Sequence, residues 1–348
     1  MGFKRLQSDN SVYIWMANGV KVIIPVFVDD LTLVSKSKEG INRVKSQLAA
    51  NFKLKDLGPT SWLLGVEVIY NREKRTLKLS QRQYIIDVLK RFGMADCKPV
   101  TTPMVPGSHL STTMRPSTPL EKEEMQKVPY LNAIGALNYL VICTRPDISY
   151  AVGCLARYSG DPGPAHWTAV KHVMRYLKGT MDLKLTYSPS NSSYPFQAWT
   201  DADHGGNPDN GRSTSGYILK IGTGAVSWSS KLQNIVTLST TEAEFIAATS
   251  AGTEVIWTHN FFRELGLEID GPSDIHIDNQ SALSVAKNPE HHGHMKHLDL
   301  RFFWLRDAIS QKVINISYIP TGDMTADLLT KALSRRLVEK HRKEMGLV

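Results

Sequence analysis

The stretch after Phe196 most constrains what this chain can fold into. Phe196–Thr200, Gly216–Ile221 and Ala225–Trp228 read as short apolar strands, the last two joined at Gly222–Gly224. A long helical pattern covers Thr240–Leu265. A strand at Asp274–Ile277, a short helix at Ser281–Ala286, a helix at Leu298–Ser310, a strand at Val313–Ile319 and a helix over Ala326–Met345 follow. Three strands in succession, then alternating helix and strand, predict an α/β (α+β) domain: one mixed five-stranded sheet with helices on both faces. The polar, Pro/Ser-rich stretch Ser188–Tyr194 marks its upstream boundary.

Four acids fall at element ends within this pattern. Asp201 closes the first strand, Glu244 lies in the first turns of the long helix, Asp278 closes the fourth strand and Asp327 opens the last helix. Strands are poor in Asp, and α/β folds gather ligands at strand ends, so the pattern asks for a chemical reason. Clustered carboxylates repel and raise one another's pKa unless a cation neutralises them. With hard oxygen donors and no nearby Cys, Mg²⁺ or Mn²⁺ is the matching ion. Four carboxylates can hold two such ions about 3.5–4 Å apart, the clamp of in-line phosphoryl displacement. Taken singly, Asp278 and Asp327 also suit helix caps. Asp201 is preferred to Asp203 because it ends the strand.

The first half reads differently. Val12–Val34 gives a strand, an Asn18-Gly19 turn, a strand, the pair Asp29-Asp30 and a further strand. Gly40–Phe52 carries Ile41, Val44, Leu48 and Phe52 at helical spacing. Ser61–Tyr70 and Thr76–Leu79 form a hairpin around Asn71–Lys74, and Gln83–Phe92 is helical. Lys98–Pro119, rich in Pro, Ser and Thr, reads as a linker or long surface loop. Helices at Tyr130–Cys143, Ile148–Tyr158 and Ala165–Lys178 follow. The last sets Lys171, His172, Arg175 and Lys178 opposite Trp167, Val170, Met174 and Leu177, either a solvated face or a grip on phosphate.

Composition narrows the class. With 42% hydrophobic and 21% charged residues among 348, the chain can bury cores and large-scale disorder is excluded. Lys and Arg number 41 against 33 acids, a net +8 that favours a polyanionic partner. Cys97, Cys143 and Cys154 form no C-x-x-C pair, which excludes a disulfide framework and a cysteine zinc site. Residues 1–10 lack a signal-peptide core, and the apolar run at Ala136–Cys143 is too short for a bilayer, so a soluble, non-secreted protein with no membrane partner is expected.

Several motifs, taken in order, resemble the ribonuclease H domain of copia-type retrotransposons. They are Thr200-Asp201-Ala202-Asp203, Ser213-Thr214-Ser215-Gly216-Tyr217, Trp228-Ser229-Ser230-Lys231-Leu232-Gln233, Leu238–Ala247, Ile277–Ala282 and Thr325–Lys331. Upstream, Phe27-Val28-Asp29-Asp30 resembles the catalytic hairpin of reverse transcriptases. Leu54–Gly58, Leu64–Glu67, Leu79–Gln81, Thr144-Arg145-Pro146-Asp147 and Arg175–Thr180 resemble the family's following segments. The resemblance identifies Asp201, Glu244, Asp278 and Asp327 as the metal-binding acids, with Glu244 taken over Glu242 because Glu244–Ala247 matches the family's helix. Many ribonucleases H place a His in the loop before the last acid; Thr321–Thr325 has none.

The resemblance implies two Mg²⁺ ions, with Mn²⁺ as substitute, and cleavage of RNA in RNA–DNA hybrids, read through 2′-hydroxyls in the wide minor groove. Nucleic-acid contacts are expected at Lys171, Arg175, Lys178, Lys231, Lys296 and His297, of which Lys296-His297 resembles a family motif with no assigned role. The cluster His291-His292-Gly293-His294 reads as a basic loop at phosphate, since no second ligand pair accompanies it. Asp29 and Asp30 are expected to be a polymerase remnant, because the family's earlier Asp and its fingers would lie upstream of this sequence. The expected organisation is therefore a partial palm and thumb over 1–97, a linker and helical connection over 98–190, and the ribonuclease H-like domain over 191–348. A retroelement particle in the cytoplasm, or the nucleus, is the expected location. The alternative is a catalytically inactive remnant that at most binds nucleic acid.

Overall fold

The computed structural model describes residues 2–189, 196–267, 269, 271–287 and 299–348. They form two compact units: Met1–Ser61 with Ile256–Asp270, and Trp62–Val255 with Gly271–Val348. Among the described residues no helix is long and apolar enough to cross a membrane.

The first unit is an antiparallel sheet of β1 (Phe3–Arg5), β2 (Val12–Ala17), β3 (Val20–Phe27) and β4 (Asp30–Leu31), in that spatial order. Asn18 and Gly19 take φ of 51° and 75°, the left-handed pair that a two-residue hairpin demands. Strand alternation splits the apolar side chains between two small cores. Val12 and Ile14 pack with Leu6 and Leu265, while Trp15, Val22 and Ile24 pack with Val44 of α1 (Lys38–Ala49). Ser37 caps α1 by accepting from the Gly40 N–H at 3.1 Å. The helix stops at Ala49, so Phe52, placed on its apolar face by spacing, stands exposed instead.

The second unit opens with β5 (Trp62–Leu63), β6 (Val66–Asn71) and β7 (Thr76–Ser80), then α2 (Arg82–Arg91). The Lys98–Pro119 stretch is not wholly superficial: Thr102 and Met104 are buried. Spacing did not reveal α3 (Pro119–Gln126), although Thr118 and Glu121 form a capping box with proline at the first position. Then come α4 (Tyr130–Cys143), α5 (Ser149–Ala156) and α6 (Pro164–Gly179), followed by β8 (Leu185–Tyr187), which pairs with β7.

The large sheet contains β9 (Gln197–Ala202), β10 (Thr214–Ile221), β11 (Gly224–Leu232), β12 (Ser273–Ile277) and β13 (Ile314–Tyr318), in the order β11-β10-β9-β12-β13. The first three are antiparallel, whereas β9–β12 and β12–β13 are parallel. This is the ribonuclease H-like mixed sheet expected from the sequence. Its central strand β9 is buried from Ala198 to Ala202, so both faces are covered. On one side Ala202 meets Ala243 and Ala247 of α7 (Thr240–Glu264). On the other, Gly216 lets a tight turn approach: a Cβ there would lie 2.8 Å from the Leu329 Cβ. The remaining helices are α8 (Gln280–Lys287), α9 (Asp299–Ser310) and α10 (Arg335–Glu344).

The expected helix over Ala326–Met345 is two elements. Thr325–Leu329 is a 3₁₀ turn, and α10 begins only after Ser334, whose backbone is extended. Close packing on Gly216 favours the tighter turn, so Asp327 sits within it and does not open a helix.

Helices α4–α6 share one core with this sheet. Leu137, Leu140, Leu155, Val170 and Met174 join Ile218, Ala225, Leu329 and Leu347. Inside lies a fully buried ion pair: Arg145 donates to Asp147 through Nε at 2.9 Å and Nη2 at 2.7 Å. Tyr176 Oη donates to the same carboxylate at 2.7 Å, and Arg145 also reaches the Thr180 Oγ1 at 2.8 Å. Removing one partner strands the other charge in the core. Arg145→Ala should therefore lower unfolding free energy by about 3–5 kcal/mol, read from urea denaturation of the whole chain; a loss below about 1 kcal/mol would contradict this role.

Candidate active site

Because β9 and β12 are parallel neighbours, their carboxyl ends lie at the same sheet edge, and each delivers an acid there. Asp201, 1% exposed, is the penultimate residue of β9 and pairs across the ladder with Gly216. Asp278 immediately follows β12, and its Oδ2 accepts from the Thr321 Oγ1 at 2.8 Å. Glu244 enters from the start of α7, with Oε1 accepting from the Ala202 N–H at 3.3 Å. Ligand oxygens of Asp201, Glu244 and Asp278 all lie within 4.8 Å of one another.

The neighbouring acids have other duties. Glu242 Oε2 accepts from the Leu238 N–H at 2.7 Å while Ser239 Oγ accepts from the Glu242 N–H at 3.1 Å, a capping arrangement at the α7 start. Asp203 accepts from the Thr214 N–H, which fixes the loop between β9 and β10. The structure thus brings Glu244 and Asp201 to the cluster.

Asp327 is not in that three-acid group; it flanks Asp201 on the other side. Lys331 bridges the two, its Nζ 2.8 Å from Asp327 Oδ1 and 3.1 Å from Asp201 Oδ2. Thr330 Oγ1 also donates to Asp201 Oδ2. Sequence reasoning passed over Lys331, Thr330 and Thr321. The i,i+4 spacing of Asp327 and Lys331 was the available signal for the first.

Electrostatics expose the cost of the arrangement. Burial, then the charges of Asp201 and Asp278, push the Glu244 carboxyl up to about 10. Burial and then Asp201 push Asp327 up to about 6, with Lys331 opposing the shift. Burial works against the Lys331 charge, yet Asp201 and Asp327 hold its ammonium above the ordinary lysine range. Glu244 Oε2 is buried without any hydrogen-bond donor. Three hard oxygen donors, one of them lacking a partner, fit a divalent cation of the Mg²⁺ or Mn²⁺ type.

Among the described residues, none of the other sequence candidates belongs to the three-acid group. Asp29 and Asp30 occupy the exposed β3–β4 turn of the first unit, beside Val28 at φ 52°, a strained conformation for a β-branched residue. On α6, Arg175 Nε donates to the Lys98 carbonyl at 2.7 Å, and His172 Nε2 lies 3.0 Å from the Thr102 carbonyl. These two side chains hold the 98–102 segment against α6. Lys171 and Lys178 are half-buried on α6, and Lys231 is exposed on β11. Lys296, His297 and the histidines at 291, 292 and 294 lie outside the described residues.

Residues 1–106 match the family model described as reverse transcriptase (RNA-dependent DNA polymerase). The chain is 41% identical over 345 residues to the retrovirus-related Pol polyprotein from transposon TNT 1-94 of Nicotiana tabacum, covering 99% of this chain and 25% of that protein. It is 34% identical over 348 residues to the retrovirus-related Pol polyprotein from transposon RE2 of Arabidopsis thaliana, covering 100% of this chain and 23% of that protein. The chain therefore spans about a quarter of the length of these relatives. Among solved structures, LC11-RNase H1 in complex with RNA/DNA hybrid is 16% identical and covers 39% of this chain and 93% of that chain, at a TM-score of 0.31. The ribonuclease H-like assignment rests on strand order and direction, not on that superposition. Identity along its whole length places the chain in the family of copia-type retrotransposon Pol polyproteins.

Proposed function

We propose that the chain is a ribonuclease H that hydrolyses the RNA strand of RNA–DNA hybrids. One observation carries the reading: Asp201, Glu244 and Asp278 converge within 4.8 Å, and the buried Glu244 Oε2 has no donor. Family membership supplies the substrate class, since a Pol polyprotein that copies RNA into DNA generates such hybrids. Asp201, Glu244 and Asp278 would hold a divalent cation, with Asp327 as a fourth acid beside them. When bound, such cations supply Lewis-acid activation of water and charge stabilisation at the leaving oxygen.

The chain's own groups pre-set this geometry. The Ala202 N–H orients Glu244, the Thr321 hydroxyl orients Asp278, and Thr330 and Lys331 fix Asp201. Most of these partners stand on strands or in backbone-bonded turns, so little reorganisation is needed as charge develops.

Without divalent cations, the Glu244 contribution to stability should fall as pH rises. It is read as the difference between the parent and Glu244→Gln, because His166, His172, His259 and His276, held below the ordinary imidazole range by burial, act in the opposite direction. Glu244 is pushed up to about 10, so the folded chain keeps a proton that the unfolded chain releases near the ordinary glutamate pKa. That contribution is complete below the unfolded value and is lost progressively toward the folded one. In EDTA the melting temperature of the parent relative to Glu244→Gln should drop by roughly 3–8 °C between about pH 5 and about pH 8, and Mg²⁺ should shrink the drop. A profile that is flat in EDTA, or unmoved by Mg²⁺, would remove the electrostatic basis of the site.

The direct test is cleavage of an end-labelled RNA–DNA hybrid by the purified chain with Mg²⁺, beside Asp201→Asn. The parent should cut the RNA strand, and the variant should lose at least about a hundredfold in rate while remaining folded. A folded parent that binds hybrid without cutting it sinks the proposal and leaves a nucleic-acid-binding module.

A further inference from the structure

Resting on the ribonuclease H reading above, we propose that Lys331 is the resident cation of the Asp201–Asp327 flank. The folded chain then takes one divalent ion through Asp201, Glu244 and Asp278, and admits a second only by displacing the Lys331 ammonium.

The two flanks of Asp201 are neutralised in different ways. Toward Asp327, the Lys331 Nζ stands 2.8 Å from one carboxylate and 3.1 Å from the other, and Thr330 Oγ1 donates to the same Asp201 oxygen. Both acids are nearly sealed, at 1% and 6% exposure, so the charge between them is not supplied by bulk solvent. Among the described residues no ammonium or guanidinium meets the Glu244 carboxylate, and its buried Oε2 has no hydrogen-bond donor. A divalent ion is therefore required on one flank and pre-empted on the other.

Lys331 is also built to leave. Its side chain is 38% exposed, far more than the acids it bridges, and an ammonium on a flexible four-carbon stem can swing into water without moving the backbone. Its main chain stays anchored by an N–H to Asp327 carbonyl bond of 2.9 Å, so displacement of the ammonium leaves Asp327 in place. Occupancy of the second position thus becomes a competition between a tethered monovalent cation and a free divalent one.

The experiment is a Mn²⁺ titration of the full chain followed by the electron paramagnetic resonance signal of the free ion. The parent should bind one ion tightly and a second weakly. In Lys331→Met the second site should tighten by roughly tenfold to a hundredfold, the range expected from loss of a competing charge-assisted pair. Lys331→Arg, which keeps the charge, should resemble the parent. Lys331→Met should also melt lower in EDTA than the parent and gain more from Mn²⁺; Lys331→Gln serves the same comparison if the Met variant does not fold. Unchanged second-site binding in a folded Lys331→Met or Lys331→Gln overturns the inference, as does a parent that binds two ions equally tightly; both leave the ribonuclease H reading standing. A parent that binds no more Mn²⁺ than Asp201→Asn overturns both.

Discussion

Three carboxylates with oxygens inside a 4.8 Å circle repel one another, and burial makes the repulsion worse because little water screens it. The surrounding architecture is what keeps them together. Parallel pairing of β9 with β12 fixes the spacing of Asp201 and Asp278 through backbone hydrogen bonds that side-chain repulsion cannot break. The α7 start is clamped to β9 by alanine contacts and by the Ala202 N–H on Glu244. Gly216 completes the arrangement by omission, since the space a side chain would fill is taken by the turn that carries Asp327, Thr330 and Lys331.

The helical segment upstream contributes to the same rigidity. Trp228 Nε1 donates to the Val141 carbonyl at 2.9 Å, tying β11 to α4. Arg157, just past α5, donates to the Thr214 Oγ1 at 3.1 Å, at the start of β10, where the Thr214 N–H also holds Asp203. Deeper in, the Arg145–Asp147 pair gathers Tyr176 and Thr180, while Leu185 and Leu347 bridge the segment's exit to the chain's last residues. The helical segment thus serves as a structural layer of the sheet that follows it. An unpaired charge in that layer would be felt at the strands that aim the acids.

What could be read from the sequence follows from how local its physics is. The Asn18-Gly19 hairpin, the five strands of the mixed sheet and the long α7 are set by short-range backbone preference and periodicity, and these appear close to their expected places. Asp201, Glu244 and Asp278 were legible because they sit at element ends, and the choice of Glu244 over Glu242 came from the family's helix motif. The nature of the Asp327 segment was not legible. Thr325–Leu329 has helical composition, and only its long-range packing on Gly216 tightens it to a 3₁₀ turn. The contacts of Arg175 and His172 were hidden for the same reason: a helix face rich in cations does not reveal that a distant loop offers its carbonyls to them.

Charge distribution is the other property that a total conceals. Asp201, Glu244, Asp278, Asp327 and Lys331 together carry a formal −3, so the remaining residues carry a formal +11 within the chain's +8. The molecule is therefore more basic away from the acidic cluster than its sum suggests, and sharply acidic at one sheet edge. On the ribonuclease H proposal, a phosphate backbone would be drawn in by the first and repelled by the second. Close approach of a phosphodiester to the acids would require that their charge be met, and Lys331 meets only that of Asp201 and Asp327. On that proposal, cation uptake at Glu244 and phosphate approach would be thermodynamically linked, each making the other more favourable.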